Sequence, residues 1–199
     1  MRDNVSTSHA PPTSQQPSLT ETLDATDYRS LFQLSGGATA LALWSSLGAP
    51  RRAELVRLLS DANADRRTVF LGAELAATFE PALWRAADPA VLATAYGAAL
   101  SEDYVGMANP WGLPGKIGPL GLRLLDLGEA AVPVLMASLD TDTPVVYAGS
   151  EEAAIGNGYR YRVKDLAAYY LGLIRSLVFQ VERSPTARDQ EIQRLRRLL

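Results

Sequence analysis

Apolar residues recur at helical spacing along most of this chain, and each such stretch stops at a glycine, a proline or an acidic residue. The clearest stretch lies near the C-terminus, where positions i, i+3, i+4, i+7, i+8 and i+11 are Val163, Leu166, Ala167, Tyr170, Leu171 and Ile174. This spacing places the six side chains on one face of an α-helix. Ala and Leu, both strong helix formers, occur 30 times each. We therefore predict an all-α protein of about eight to ten helices.

The predicted helices form one domain, residues 19–199, behind a polar leader. Residues 1–18 are rich in Ser, Thr, Pro and Gln, so we expect them to be disordered. Within the domain, residues 19–100 form irregular helices, residues 117–181 form a more regular group, and residues 185–199 form a C-terminal helix.

Two helix boundaries and two exceptions to the helical pattern stand out. Asp88 followed by Pro89 is typical of a helix start, and a strong helix runs from residue 162 to about 181. Residues 101–116 and 140–161 are instead rich in Gly, Pro and aromatic residues. Within the second segment, residues 145–147 and 159–161 resemble strands, which can pair as a small β-hairpin.

The residue types that are scarce exclude several kinds of chemistry. The chain has no Cys and one His, His9, which lies in the leader, so thiolate nucleophiles, Ser-His-Asp triads and multi-His metal sites are excluded. Gly115 and Lys116 are followed by Ile117, whereas a phosphate loop requires Ser or Thr after the Lys. We therefore predict no metal and no cofactor.

The charge pattern indicates a protein that binds neither nucleic acid nor membranes. The net charge of −3 is too close to neutral for nonspecific nucleic-acid binding. Residues 30–50 lack charge but are only half apolar, which favours a buried helix over a membrane span. No secretory signal begins the chain, and the location is predicted to be cytoplasmic. Abundant Ala and Arg with only two Lys are typical of a GC-rich bacterial genome.

A family resemblance is carried by residues 117–174. Residues 131–135 (AVPVL), followed by Leu139 and Asp140, resemble the first helix of a HEAT repeat. Val163 and Lys164, together with the apolar positions up to Ile174, resemble the second helix of the repeat. Residues 117–128 resemble the second helix of a preceding repeat. The resemblance implies a short α-solenoid, in which each helix pair buries its apolar face against the next pair. The other interpretation is an irregular helical bundle.

One departure from the HEAT pattern bears on function. A HEAT repeat has a short turn after its Asp, but here 22 residues separate Asp140 from Val163. HEAT-like proteins are usually scaffolds, and long inserts in repeat proteins tend to lie on the binding face. The resemblance therefore implies a noncatalytic protein-interaction module of the adaptor or immunity type, with a protein partner.

The two irregular segments combine aromatic and acidic side chains, which are suited to partner binding. Aromatic residues are enriched among the residues that dominate binding energy, and long loops without structure of their own are uncommon unless functional. The predicted partner-binding residues are Glu102, Asp103, Tyr104, Trp111, Tyr147, Glu151, Glu152, Tyr159, Arg160 and Tyr161. Equally, the loops can fold back over helix ends, so that their aromatic side chains close the core.

An enzyme is the second functional hypothesis. Some HEAT-like proteins are thought to be lyases acting on pigment-bearing proteins, and the candidates for similar carboxylate, Tyr and Arg chemistry are Asp103, Tyr104, Glu151, Glu152 and Arg160. An enzyme requires at least two of these side chains to converge on one concave pocket.

Overall fold

The computed structural model describes residues 17–199, apart from the side chains of Ser150 and Glu152. Within that range the chain forms eleven α-helices, a π-helical turn at Arg29–Gln33, a short 3-10 helix at Gly128–Ala131 and one two-stranded antiparallel sheet. The predicted all-α fold class is confirmed.

The helices are mostly short and follow one another closely. In chain order they are α1 (Leu19–Asp24), α2 (Ala38–Ser45), α3 (Ala49–Leu58), α4 (Arg66–Phe79), α5 (Pro81–Ala86), α6 (Pro89–Ser101), α7 (Pro119–Leu127), α8 (Val132–Ser138), α9 (Ser150–Tyr159), α10 (Val163–Ile174) and α11 (Pro185–Arg196).

Short polar side chains fix the starts of several helices. Of the predicted leader, residues 1–16 lie outside the described range, and Ser18 is the N-cap of α1. Asp65 caps α4 by accepting a hydrogen bond of 2.9 Å from the backbone N–H of Thr68. Asp88 caps α6 in the same way, with Pro89 at the first helical position. The start predicted at Asp88 is confirmed.

Helices α4 and α6 pack against each other at the centre of the molecule. Both are buried over most of their length, and the main apolar cluster extends from Leu19 in α1 to Leu195 in α11. A glycine allows α8 to pack closely against α6, since a Cβ placed on Gly97 of α6 would lie 2.8 Å from the Cβ of Val134 in α8. Helix α8 packs in turn against α10, which also contacts α7 and α11.

A buried carboxyl group lies inside this core. The Tyr96 hydroxyl donates a hydrogen bond of 2.5 Å to Glu74, and Trp84 Nε1 donates one of 3.2 Å to the Tyr96 oxygen. The Arg123 guanidinium approaches Glu74 to 3.6 Å. Burial raises the pKa of Glu74 even though these partners favour its charged form. The cluster ties α4, α5, α6 and α7 together through polar contacts.

The strands lie in a different segment from the one predicted. Strands β1 (Gly112–Leu113) and β2 (Lys116–Ile117) form a hairpin whose turn contains Gly115 at φ +92°, a conformation that glycine adopts without strain. The ends of residues 140–161 meet through one backbone hydrogen bond of the predicted pairing, from the Val145 N–H to the Tyr161 carbonyl at 2.9 Å, and an isolated bridge beside it joins Pro144 to Arg162. Between these ends the chain forms α9, because the run Ser-Glu-Glu-Ala-Ala favours a helix start over a strand.

Two helix predictions differ from the structure. Helix α10 ends at Ile174 rather than near residue 181, because the chain folds back and the Leu177 N–H donates to the Gly172 carbonyl at 2.8 Å. Residues 30–50 were predicted to form a buried helix, but the helix within them, α2, lies at the surface and buries only Ala40 and Trp44. Among the residues described, no helix is long and apolar enough to cross a membrane.

A buried ion pair joins α10 to α11. Arg188 of α11 and Asp165 of α10 are both fully buried, and Arg188 Nε lies 3.1 Å from Asp165 Oδ2. The Arg188 guanidinium also donates to four backbone carbonyls at 2.8–3.1 Å, those of Tyr159, Arg160, Glu182 and Arg183. The same guanidinium lies 5.1 Å from the centre of the Tyr161 ring. One side chain therefore holds the end of α9, the start of α10 and the approach to α11.

We expect Arg188→Met to destabilise the folded chain by about 3–5 kcal/mol, because it leaves the Asp165 charge with one fewer partner and orphans buried carbonyls. Urea unfolding followed by circular dichroism measures this. The exposed Arg197 at the end of the same helix provides the matched control, and Arg197→Met should change stability by less than about 0.5 kcal/mol. Equal unfolding midpoints for the two variants would contradict the role assigned to Arg188.

Candidate functional site

The two irregular segments come together in the fold. The Ala108 N–H donates to the Val146 carbonyl at 2.7 Å, so the backbone of residues 101–116 joins that of residues 140–161. Asn109 bonds Ala148 twice, through its side-chain nitrogen to the Ala148 carbonyl at 3.0 Å and its oxygen to the Ala148 N–H at 2.9 Å. We call the joined segments the paired loops.

Three of the predicted partner-binding side chains are buried beneath the paired loops. Trp111 is 2% exposed, Tyr147 is 2% exposed and Tyr161 is 3% exposed. The Tyr147 hydroxyl donates to the Gly112 carbonyl at 2.8 Å, which satisfies its polar end inside the protein. For these three residues the prediction of a binding surface needs correction: their side chains close the core and present almost no area to a partner.

Tyr147 also holds α9 in place. Its ring lies directly beneath Gly156, and a Cβ at that glycine would come within 2.2 Å of a ring carbon. Asn157 brackets the Tyr147 backbone, accepting from its N–H at 3.1 Å and donating to its carbonyl at 3.0 Å. Burial raises the pKa of the Tyr147 hydroxyl, which therefore stays protonated as a donor. The helix is thus attached to the paired loops from one side.

The charged members of the predicted set remain at the surface. Glu102, Asp103, Glu151 and Arg160 are exposed, and the side chain of Glu152 lies outside the described part of the structure. Tyr159 is half-buried and stacks on Tyr161 with the ring centres 5.4 Å apart. The surface offered to a partner is therefore mainly acidic.

Local contacts hold two of the candidate residues of the enzyme hypothesis, Tyr104 and Asp103. The half-buried Tyr104 donates to Glu102 at 2.9 Å, and burial together with this bond raises its pKa to about 12. Asp103 accepts a hydrogen bond of 3.0 Å from the Gly106 N–H, and its own φ of 55° is uncommon for a residue with a side chain. Both contacts lie within the same turn of chain. Across residues 17–199, leaving aside the two side chains that are not described, no group of three acidic or His residues is placed to hold a metal ion.

A shallow depression of about 50 Å³ marks the seam between the paired loops. Asp103 and Met107 line one wall, and Val146 lines the other. Val146 is 63% exposed although its neighbours Val145 and Tyr147 point inward. Val146 is not among the predicted binding residues. Side chains alternate between the two sides of an extended segment, and this alternation could have identified Val146 as exposed. The seam combines an exposed apolar residue with an acidic one.

An ionic network fastens the base of residues 140–161. Lys164 Nζ lies 2.6 Å from Asp142 and 2.8 Å from Asp189, and Arg162 bonds both of these carboxylates as well as Asp165. The hydrogen bond from Lys164 lowers the pKa of Asp142. Burial alone would raise the pKa of Asp189, but bonds from Arg162 and Lys164 outweigh it and lower the value. The network joins the two ends of the insert to α11.

Comparisons with known proteins gave no match for this chain. No family model matches it, and neither a curated protein sequence nor a solved structure gives a match.

Two glycines of α9 provide a test of how this helix is attached. We expect Gly156→Ala to destabilise the protein by about 1–3 kcal/mol, because the new methyl group overlaps the Tyr147 ring. Gly158 faces open space, and Gly158→Ala should stabilise α9 by up to about 1 kcal/mol. Thermal unfolding of both variants measures the difference. If Gly156→Ala were as stable as Gly158→Ala, α9 would not pack on Tyr147.

The ionic network predicts a loss of stability in acid. Asp142 and Asp189 have pKa values below the ordinary 3.8, so their charges stabilise the fold above that value, and the contribution is lost as pH falls through the folded pKa values. We expect the Tm of the wild-type chain to fall more steeply between about pH 4 and 2 than that of Asp142→Asn/Asp189→Asn. Identical Tm profiles would show that the network adds no pH-dependent stability.

Proposed function

We propose that this chain is a noncatalytic protein-interaction module, of the adaptor or immunity type, that contacts its partner through the exposed side of the paired loops. The observation that carries the proposal is the fastening of one loop to the other through Ala108, Asn109 and their partners, while Val146 and the neighbouring carboxylates stay exposed.

Physical properties of the paired loops favour binding. Hydrogen bonds fix their backbone before a partner arrives, so less conformational entropy is lost on association. An exposed apolar residue with a carboxylate at the same seam, as Val146 has in Asp103, fits the usual arrangement of an interface, in which an apolar centre has a polar rim. Aromatic residues support this surface from below rather than forming it.

The packing of α8 against α10 supports the HEAT-like interpretation of the scaffold. These are the two helices that resemble one repeat, and the insert of residues 140–161 joins them at the position of the repeat's turn. In repeat proteins such inserts gather on one face. A helical pair that holds an elaborated turn is the arrangement expected of a scaffold that presents a loop to a partner.

Photo-crosslinking tests the proposal directly. Benzoylphenylalanine replaces Val146, which is 63% exposed, or Val56, which is 47% exposed on α3 outside the paired loops. We expect irradiation of cells that produce the full chain to give a discrete crosslinked species at Val146 and none at Val56. Adding Glu102→Lys and Asp103→Lys should reduce the Val146 product at least threefold, because Asp103 lines the seam, Glu102 precedes it, and both charges are reversed.

The same crosslinking experiment includes its control and the outcome that would contradict the proposal. Both Val variants must keep the wild-type Tm, so that a missing product is not due to unfolding. Equal products at Val146 and Val56, or no product at Val146, would overturn the proposed binding surface.

A further inference from the structure

A depression outside the paired loops lies at the start of α6. It has a volume of about 160 Å³ and lies between the turn joining α3 to α4, helix α4 and helix α6. Its floor is apolar and includes Val69, Val91 and Ala95, and its charged lining residues are Asp61, Arg66 and Asp88. Because an apolar cavity of about 150 Å³ can hold a benzene molecule, this one accommodates a single Leu or Phe side chain.

A second depression continues from the first along the same helix. It has a volume of about 360 Å³, lies between α6 and α8, and shares Arg66 and Thr94 with the first depression. At its far end it shares Ser101 with the seam of the paired loops. We call the two depressions together the α6 trough. Its length follows that of α6, about 20 Å, which corresponds to about six residues of an extended peptide.

Acidic residues mark both ends of the α6 trough. Asp61 and Asp88 line its start, and Glu102 and Asp103 lie at its end, where it meets the seam. Arg66 is the one basic residue among the side chains that line the two depressions and the seam. This group has a formal charge of −3, equal to that of the whole chain, so the charges elsewhere balance.

These carboxylates keep capacity for a further donor. Asp88 accepts the backbone N–H groups of Ala90 and Val91 through Oδ1, and Asp61 accepts that of Asn63 through Oδ1. Within residues 17–199, no hydrogen bond reaches the second oxygen of either residue from the described side chains and backbone. Both groups therefore face solvent with one oxygen available.

At the other end of α6 the charge opposes the helix itself. Glu102 and Asp103 follow the C-terminus of α6, where the helix dipole is already negative and cations are favoured. Arg66 provides little compensation, since its guanidinium lies 4.0 Å from Glu102 and both side chains are more than half exposed. A basic group from outside would balance this end of the trough.

We propose that the α6 trough binds an extended basic peptide segment of a partner protein. One apolar side chain enters the 160 Å³ depression, and Lys or Arg residues on either side of it meet Asp61 and Asp88 at one end and Glu102 and Asp103 at the other. This assignment rests on the proposed protein-binding function and names the chemistry of the segment that is bound.

Peptide selection with the full chain tests the assignment. A phage-displayed library of random dodecapeptides is selected on the wild-type protein, and the enriched peptides are synthesised with a fluorescein label for anisotropy titration. We expect enriched peptides to carry at least two Lys or Arg and one Leu, Phe or Met within six residues. Enrichment of acidic or neutral peptides, or no enrichment, overturns the proposal.

Two kinds of variant locate the site on the protein. Thr94 is exposed and lines both depressions, so Thr94→Trp should fill the trough and weaken peptide binding more than tenfold. Asp61→Asn/Asp88→Asn keeps the capping oxygens but removes two charges, and should weaken binding by about threefold to tenfold at low salt. The control Asp126→Asn removes an exposed charge on α7 outside the trough and should leave binding unchanged.

The outcomes separate this inference from the proposed function. If the peptide binds the Asp61→Asn/Asp88→Asn variant as tightly as wild type, the trough is not its site, while crosslinking at Val146 still decides the role of the paired loops. If the trough variants lose the peptide but Val146 gives no crosslink, the trough stands and the loop surface fails. Circular dichroism confirms that Thr94→Trp is folded, and the Asn variant gives an independent result.

Discussion

The buried contact between Arg188 and Asp165 is the constraint on which the C-terminal half of the molecule depends. Removing two charges from water is costly, and the cost is offset only if every remaining donor and acceptor is satisfied. The planar guanidinium meets much of this cost by donating to four carbonyls from two separate turns through its two terminal nitrogens. Lys could supply the charge but not this geometry. Since those carbonyls belong to the end of α9 and the approach to α11, one side chain determines how the insert returns to the helical core.

With the base of the insert fixed, aromatic residues determine its interior. Tyr147 and Trp111 lie beneath the paired loops. Gly156 has no side chain, and this allows α9 to pack directly on the Tyr147 ring. Aromatic and acidic residues, which are mixed in the sequence, are separated in space: the rings turn inward and most of the carboxylates turn outward. The exposed side of the paired loops is therefore acidic with one small apolar residue, Val146, and the aromatic side chains support it from inside.

The small side chains of helix α6 have two structural consequences. Gly97 and the alanines beside it let α8 approach closely, which builds the core. The same small residues leave a shallow trough on the exposed side between neighbouring helices. Acidic residues lie at both ends of this helix, and only Asp88, at its start, stabilises it as a cap. The pair at its end is unfavourable to the helix, because the helix dipole is already negative there.

Periodicity and helix-capping residues made much of the helical framework predictable. Asp88 followed by Pro89 predicted the start of α6, and the apolar face beginning at Val163 predicted α10, because these signals act between near neighbours. The insert was predicted less well, since the helix signal after Gly149 was outweighed by its glycines and tyrosines. Its inward-facing and outward-facing residues depend on Asn109 and Gly112, which are more than thirty positions away.

The sequence by itself determined that the chain is helical, that two segments differ from the rest, and that Cys and His chemistry is absent from the domain. Only the tertiary structure decided which residues of those segments are buried, which are exposed, and that acidic residues lie at both ends of one trough. The reason is that helix formation is governed by neighbours within about four positions, whereas burial and electrostatic environment are set by contacts between distant segments. Arg188 is one of many arginines in the sequence and becomes the centre of a buried network only in the folded chain.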